Sequence, residues 1–409
     1  MTKTTVLPDS QALQAEFQNA AKLQGRGDFE NAIASYEALL KKAPGHPQIL
    51  NLCAVSNLEM GRREKAIKLF EQAVESAPDY QDAWLNLGIA RLQAGDHESA
   101  AEAFGQVRRI SPDSPVGHTH FANACQLLDR YDDAVAAYEA ALAAAPDNPD
   151  IWTNYARANL YSGNWTKALD TANTAIGLKK ANTGAMSVKS AALLELGEKE
   201  ELDKLVDFDR LIQVSDFSAP GRFTDMSAFN EALCEHCRNH PSLVYEPSEN
   251  TTKMGHQTGN LFLDDDRGPI ADLLEMIGQA VKAYQEARPA DESHPFLAHP
   301  PARWKYDIWA TILGSQGHQA PHIHRSGWLS GCYYARIPDV MASGDGQEGW
   351  IEFGRPQDHP ESKAEPVVRA YKPHEGMVVL FPSYFYHRTI PFESDEQRIS
   401  IAFDIVPVQ

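Results

Sequence analysis

Small, apolar and aromatic residues recur every 34 positions through the first half of the chain. Four columns share this period and stay in one register. They are an alanine column (Ala32, Ala66, Ala100, Ala134, Ala168), a proline column (Pro44, Pro78, Pro112, Pro146), an aromatic column (Tyr36, Phe70, Phe104, Tyr138) and a small-residue column (Ala20, Ala54, Gly88, Ala122, Ala156). Because chance does not give four columns one common period, we predict a tandem repeat.

The residue types in these columns indicate two antiparallel helices per repeat. Small residues let helices approach closely, aromatic side chains fill the space between them, and proline ends the second helix. Turns such as Gly27-Asp28 and Gly95-Asp96 separate the helices, and their aspartates can cap the second one. Five units run in register from about residue 10 to 180, and a degenerate sixth follows over 185–205. Each unit needs its neighbours to bury its apolar face.

This pattern resembles the tetratricopeptide repeat. The resemblance implies a helical solenoid with a concave groove for a protein or peptide partner. The alternative is a scaffold that only holds the second half of the chain or forms a homo-oligomer. Nothing in the sequence names the partner.

After about residue 208 the pattern changes. Apolar residues at helical spacing first predict helices over 226–240 and 270–287. From residue 303 onward, short apolar or alternating runs are broken by Gly, Pro and Asp. The predicted strands are 303–313, 328–336, 349–353, 367–371, 377–381 and 397–406. Short strands at close spacing favour an all-β sandwich or barrel.

Three domains follow from these patterns. We predict a repeat domain over 10–208, with five repeats and the degenerate sixth. Residues 209–300 are predicted to form a linker and the helices that flank the β domain, and residues 301–409 the β core. The repeat half carries no visible chemistry, so any activity is expected in the second half.

Metal-binding residues gather in the β domain. His322 and His324 are two apart in a segment predicted to be extended, where alternate side chains share a face. His387 follows a predicted strand and a turn, and it can reach the same ion from a facing strand. Imidazole nitrogen binds iron, zinc, copper and nickel, so the three histidines predict a metal site without choosing the metal.

A site for an anion is predicted on the last strand. Alternation puts Arg398 and Ser400 on one face, where a guanidinium and a hydroxyl can hold a carboxylate. A structural salt bridge from Arg398 to Asp404 or Glu352 is the alternative. Glu352 and His318 are also weaker candidates for metal ligation.

Taken in order, these residues resemble the 2-oxoglutarate- and Fe(II)-dependent oxygenases, of the prolyl-hydroxylase-like type with a His-x-His variant. The matching segments are His322-Ile-His324, Trp328-Leu-Ser-Gly-Cys-Tyr-Tyr334, Gly376-Met-Val-Val-Leu-Phe-Pro-Ser383, His387 and Arg398-Ile-Ser400. The resemblance implies an α+β multidomain protein in which the all-α solenoid precedes a jelly-roll-like double-stranded β-helix with flanking helices. It implies His322 and His387 as metal ligands, and Arg398, Ser400 and Tyr334 as ligands of the far carboxylate of 2-oxoglutarate.

His324 departs from the usual family pattern, because many relatives carry Asp or Glu at that position. A third imidazole raises the charge of the centre by one and gives a donor set that also suits catalytic zinc. We favour Fe(II), since zinc hydrolysis gives no reason for the Arg398/Ser400 pair. No catalytic residue is predicted beyond the metal centre.

The resemblance implies a hydroxylase with 2-oxoglutarate as cosubstrate, and the repeat array favours a protein or peptide substrate. The alternative is a non-catalytic protein that binds metal or 2-oxoglutarate and uses the repeats as a scaffold. The exchange of a carboxylate for His324 keeps that alternative open.

Charge and cysteine content narrow the partners and the location. The formal net charge is −19, from 56 acidic and 37 basic residues, which argues against nucleic acid or an anionic membrane as main partner. We see no signal peptide and no run long enough to span a bilayer. Five scattered cysteines do not make a disulfide framework, so a cytoplasmic protein with reduced thiols is expected.

The segment Cys234-Glu-His-Cys237, with His240 nearby, also suggests metal or redox chemistry. Because the two cysteines share a helix face with Leu233, we favour ordinary core cysteines. The acidic run over 264–266 is predicted to be a solvated turn.

Overall fold

The computed structural model describes residues 11–247, 251–359 and 361–408. Residue 10, where the predicted repeat domain begins, and residue 409, where the predicted β core ends, lie outside the described residues. The chain forms two compact units that divide after Ala158.

Antiparallel helix pairs build the first unit, as the 34-residue period predicts. The helices are α1 (Gln11–Gly25), α2 (Phe29–Lys42), α3 (Pro47–Glu59), α4 (Arg63–Ser76), α5 (Gln81–Gln93), α6 (His97–Ile110), α7 (Pro115–Leu127) and α8 (Tyr131–Ala144), and α9 (Pro149–Tyr161) crosses the division. All four rings of the aromatic column are fully buried. The predicted helical solenoid is confirmed.

The turns of the repeat behave largely as their residues predict. The second helices of the first four pairs, α2, α4, α6 and α8, each end two residues before a column proline. Asp96 caps α6 by accepting a hydrogen bond from the Ser99 amide at 3.2 Å. Asp28 does not cap α2, because its carboxylate accepts from the Asn31 side chain instead. The capping prediction therefore holds at Asp96 and is wrong at Asp28.

Gly88 shows why this column of the repeat requires small residues. A Cβ at Gly88 would overlap the buried Phe104 ring on α6. We expect Gly88→Ala to destabilise the repeat array by about 1–3 kcal/mol through overpacking. Gly105→Ala is the matched control on α6, where a Cβ meets no atom within 4 Å, and it should stabilise by about 0.5–1 kcal/mol. Urea unfolding followed by circular dichroism measures both; equal effects would contradict the packing argument.

The second unit contains the last repeat helices and the β domain. Its helices are α10 (Trp165–Leu178), α11 (Thr183–Leu196), α12 (Lys199–Leu205), α13 (Phe208–Leu211), α14 (Met226–Arg238), α15 (Pro269–Ala287) and α16 (Asp339–Ser343). The end of the repeats packs directly on the β domain. The Thr183 hydroxyl donates to the Gly327 carbonyl at 2.9 Å, and the Tyr384 hydroxyl donates to the Leu205 carbonyl at 2.6 Å.

Two antiparallel sheets form the β domain. The strands are β1 (Gln213–Asp216), β2 (Val244–Tyr245), β3 (Thr252–Gln257), β4 (Trp304–Gln319), β5 (Leu329–Arg336), β6 (Ile351–Phe353), β7 (Arg369–Tyr371), β8 (Met377–Pro382), β9 (His387–Thr389) and β10 (Arg398–Pro407). The large sheet has the order β1-β8-β5-β10-β4-β3-β2, and the small sheet has the order β7-β6-β9. The chain crosses repeatedly between the sheets, which agrees with the predicted double-stranded β-helix.

The strand predictions are correct in kind but not in every limit. The strand predicted over 303–313 continues to Gln319 as β4. The extended segment predicted around His322 is not a regular strand: His322 forms an isolated bridge to His387, and His324 lies in a loop. Short strands such as β2 at the sheet edge and β9 were missed, because two or three residues carry too little periodicity to be recognised.

The predictions about membrane-spanning segments and cysteines can be compared with the described residues. None of the helices described there combines the length and the apolar character that a bilayer span needs. All five cysteines are unpaired, and four of them are buried. Cys234 and Cys237 belong to the buried face of α14 together with Leu233, so the interpretation as core cysteines is correct.

Candidate functional site

Backbone pairing brings the three predicted histidines together. His322 and His387 exchange two backbone hydrogen bonds of 3.0 Å, which place the His322 segment beside β9. The His324 amide donates to the Ser383 carbonyl at 3.0 Å and so fixes the following loop against the end of β8. These two anchors hold side chains that are more than 60 residues apart in the chain on one side of the domain.

The three imidazoles converge on one point. One ring nitrogen from each of His322, His324 and His387 lies within 4.8 Å of the other two. The Nε2 atoms of His322 and His324 are 3.2 Å apart, and the ring centres of His322 and His387 are 4.2 Å apart. This spacing is that of side chains able to bind one ion.

Backbone carbonyls fix the protonation of two of these rings. His322 Nδ1 lies 2.7 Å from the Ala320 carbonyl, and His387 Nδ1 lies 3.0 Å from the Phe385 carbonyl. A carbonyl oxygen only accepts, so Nδ1 carries the proton in both rings and Nε2 keeps its lone pair. Such partners orient the ligating histidines of metal sites.

A buried carboxylate fixes the third ring. His324 Nδ1 lies 2.5 Å from Asp404 Oδ1, and Asp404 also accepts from the Ser330 hydroxyl at 2.6 Å. Asp404 is only 5% exposed. The negative charge that a carboxylate ligand would bring is therefore present one hydrogen bond behind His324.

Burial keeps two of the imidazoles neutral. His322 retains some exposed surface, but loss of hydration and the neighbouring His324 lower its pKa to about 3. Burial, followed by the influence of His322 and His324, holds the pKa of His387 well below its ordinary value. Neutral imidazole is the form that binds a metal ion, so these rings need not release a proton first.

Arg398 lies inside the domain and has no acidic partner within the described part of the chain. It is 1% exposed, and its Nη1 donates to the Ser400 hydroxyl at 3.1 Å. Its Nε has no hydrogen-bond partner among the residues that the structure describes, and its guanidinium carbon lies 5.0 Å from the centre of the Tyr334 ring. The Tyr334 hydroxyl is likewise buried and unpaired. The three residues predicted to bind one anion are thus neighbours.

The alternative salt bridge for Arg398 is wrong for the described residues. Asp404 pairs with His324, and Glu352 pairs with Arg388 at 2.6 Å and Arg355 at 2.9 Å. Glu352 is also outside the histidine cluster, so its candidacy as a metal ligand is not supported. His318 is also outside the cluster.

Sequence reasoning missed one polar group of this interior. Thr311 on β4 is the register partner of Ser400 on β10, which in turn pairs with Tyr334 on β5. Residues opposite each other in antiparallel strands share a face. The Thr311 hydroxyl is buried, and it has no hydrogen-bond partner in the described ranges. Each buried polar group without a partner costs about 1–3 kcal/mol, so this row of residues is suited to a polar ligand.

Comparison with known families agrees with both halves of this architecture. Residues 307–404 match the family described as "Putative 2OG-Fe(II) oxygenase", and residues 54–115 and 128–184 match the tetratricopeptide repeat. The chain joins tetratricopeptide repeats to a domain of this oxygenase family. The matched oxygenase segment contains all three clustered histidines, Asp404 and Arg398.

Solved structures resemble part of this chain. One is described as the crystal structure of MamA protein, with 18% identity, a TM-score of 0.39, and coverage of 41% of this chain and 91% of that one. Another is described as YrrB, a TPR protein with an unusual peptide-binding site, with 18% identity, a TM-score of 0.40, and coverage of 42% and 90%. A third is MamA from Desulfovibrio magneticus RS-1, with 14% identity, a TM-score of 0.39, and coverage of 42% and 96%. No curated protein matches the chain.

Proposed function

We propose that this protein is a 2-oxoglutarate- and Fe(II)-dependent oxygenase that hydroxylates a protein or peptide recruited by its repeats. The observation that carries the proposal is the pairing of two features in one domain. Three imidazoles with free Nε2 lone pairs meet at one point, and a buried guanidinium without an acidic partner lies on the strand that also holds Asp404.

The chemistry of the donor set fits iron. His322, His324 and His387 would hold Fe(II) through Nε2, because Nδ1 of each ring is engaged behind it. When bound, the iron supplies the redox chemistry that couples oxidative decarboxylation of 2-oxoglutarate to hydroxylation of a substrate. The protein contributes fixed ring orientations and a site enclosed by two sheets.

The anion site fits the far carboxylate of 2-oxoglutarate. Arg398 would contact it through Nε and the guanidinium fork, while Ser400 and Tyr334 offer hydroxyls on the same face. A carboxylate there would give the unpaired Arg398 Nε and Tyr334 hydroxyl the partners they lack. A dicarboxylate held at one end is oriented for reaction at the other, which is how positioning lowers a barrier.

Asp404 is proposed to compensate for the missing carboxylate ligand. Its contact with His324 Nδ1 raises the basicity of the ring and adds negative charge beside the metal. We expect Asp404→Asn, which keeps an acceptor but removes the charge, to weaken Fe(II) binding by about 10–100-fold.

Anaerobic Fe(II) titration measures this loss. Asp307→Asn is the matched control. Asp307 on β4 is the register partner of Asp404 on β10, so this substitution removes a charge from the same region without touching the His324 contact. A much smaller loss of Fe(II) affinity is expected in Asp307→Asn. Equal losses in both variants would mean that the general field of the carboxylates matters and the His324 contact does not.

The repeats support a macromolecular substrate. Tetratricopeptide repeats are protein-interaction modules, and the last helices of the array contact the β domain beside the metal centre. The buried Thr183 hydroxyl reaches the carbonyl of Gly327, only three residues after His324. A partner held at this end of the array would therefore lie near the candidate site.

We place the protein in the cytoplasm, which fits its unpaired cysteines.

Two measurements on the full chain test the function. Anaerobic addition of Fe(II) and 2-oxoglutarate should give a visible charge-transfer band, and admission of oxygen should then give succinate. Proteins captured by the full chain should gain one oxygen atom by mass spectrometry. A band without succinate or hydroxylated partner would favour the non-catalytic binding protein, and absence of both band and succinate would refute the proposal.

A further inference from the structure

A second group of metal-binding side chains lies outside the three-histidine centre. Ligand atoms of His236, His240 and Asp264 all lie within 4.8 Å of one another. Residues 264–266 lie in an irregular segment in which Asp265 and Asp266 are exposed, while Asp264 is half-buried with its Oδ2 2.9 Å from His240 Nε2. No part of the proposed oxygenase reaction uses these residues.

Helical spacing aligns the two histidines. His236 lies in the last turn of α14, and the turn continues past the helix end because the Asn239 amide donates to the Glu235 carbonyl at 3.1 Å. Residues four apart on such a turn face the same side. The rings of His236 and His240 accordingly lie 5.7 Å apart between centres.

The third side chain comes from an ordered neighbouring segment. Asp264 directly follows a short 3₁₀ turn over Leu261–Leu263. The Asn260 side chain caps that turn by accepting from the Phe262 amide at 3.0 Å. The carboxylate is therefore held in place beside the end of α14.

Both imidazoles have a nitrogen suited to a metal ion. His236 Nε2 is buried, and no described residue forms a hydrogen bond with it. His240 Nδ1 lies 2.7 Å from the Ser242 hydroxyl, which also accepts from the Gly259 amide at 2.8 Å. The Ser242 amide also donates to His240 Nδ1 at 3.3 Å, so without a metal ion the ring proton is on Nε2, which donates it to Asp264. A metal ion at Nε2 would displace this proton to Nδ1, where the Ser242 hydroxyl can accept it in place of the amide contact.

We propose that His236, His240 and Asp264 form a second metal site that takes Zn²⁺. Two imidazoles and one carboxylate are a common zinc donor set, and water can complete the tetrahedron. Bound zinc would fasten the end of α14 to the segment around Asp264. Because the Tyr333 hydroxyl of β5 donates to Asn230 of α14 at 2.5 Å, the ion would also stabilise a helix that packs on the large sheet.

The stoichiometry of Zn²⁺ on the full chain tests this site. After removal of metal with a chelator, calorimetric titration should give one equivalent fewer in Asp264→Asn and in His236→Ala than in the wild type. His299→Ala is the matched control, since His299 is an exposed histidine of the same unit outside both clusters. The control should keep the wild-type stoichiometry. The difference of one zinc equivalent between the site variants and the wild type is expected whether or not zinc also binds to the three-histidine centre.

A second measurement separates loss of the site from loss of folding. Zn²⁺ should raise the melting temperature of a His322→Ala variant but raise it less, or not at all, when Asp264→Asn is added. The metal-free variants should have matching circular dichroism. Unchanged zinc stoichiometry in both Asp264→Asn and His236→Ala would overturn the proposal and leave only an ion pair between His240 and Asp264.

Discussion

Replacing Arg398 by alanine is expected to weaken 2-oxoglutarate binding by roughly 30-fold or more, while Fe(II) binding persists. The guanidinium is the buried cation of the anion site, and it has no acidic partner among the described residues. Removing one member of a buried charge pair costs about 2–5 kcal/mol, which is roughly 30-fold or more in affinity. Anaerobic titration of 2-oxoglutarate, read by the charge-transfer band at saturating Fe(II), measures the change.

Variants at and near Arg398 sharpen this experiment. Arg398→Lys keeps the charge but loses the planar fork, so an intermediate affinity is expected. Ser400→Ala removes one neutral contact and should cost only about 1 kcal/mol. Arg388→Ala is the control, because Arg388 belongs to the same domain but pairs with Glu352. An unchanged 2-oxoglutarate affinity in Arg398→Ala would exclude Arg398 from the anion site.

The helical half was predictable because its information is local and repeated. Each helix pair carries its own column residues, and the same packing problem recurs every 34 positions. Buried rings such as Tyr36 and Phe104 then occupy the positions that the columns indicate. Repetition averages out the ambiguity of any single segment.

The β domain was less predictable because its contacts join distant segments. The pair of His324 and Asp404 is separated by 80 residues, and no spacing rule connects a loop histidine to a residue near the end of the last strand. Thr311 reaches the anion site only through the register of β4 and β10. Sequence alternation gave the face of Ser400 but not its cross-strand neighbours.

The second candidate metal site shows the same limit. The segment that contains His236 and His240 suggested metal or redox chemistry along the chain, although core cysteines were favoured there. Asp264 lies 24 residues further on, in a polar turn that carries no periodic signal. The two histidines could therefore be recognised in the sequence, but the contribution of Asp264 depends on tertiary packing.

Replacing His387 by alanine is expected to remove the bound metal from the three-histidine centre. His387 supplies one of three ligands, and its ring is held by the Phe385 carbonyl and packs against Phe381 with ring centres 4.6 Å apart. Loss of an orienting partner alone costs about 10–100-fold in metal affinity, so loss of a ligand should cost at least about 100-fold. Metal analysis after anaerobic loading with Fe(II) measures occupancy.

This experiment also distinguishes ligation from packing. A purely structural His387 would leave full iron occupancy in His387→Ala, accompanied only by lower stability from the cavity that the missing ring creates. If His387 is a metal ligand, His387→Ala loses iron even where the metal-free variant stays folded. His318→Ala is the control, because His318 is a half-buried histidine of the same domain outside the cluster. Stoichiometric iron in both His387→Ala and His322→Ala would refute the three-histidine centre.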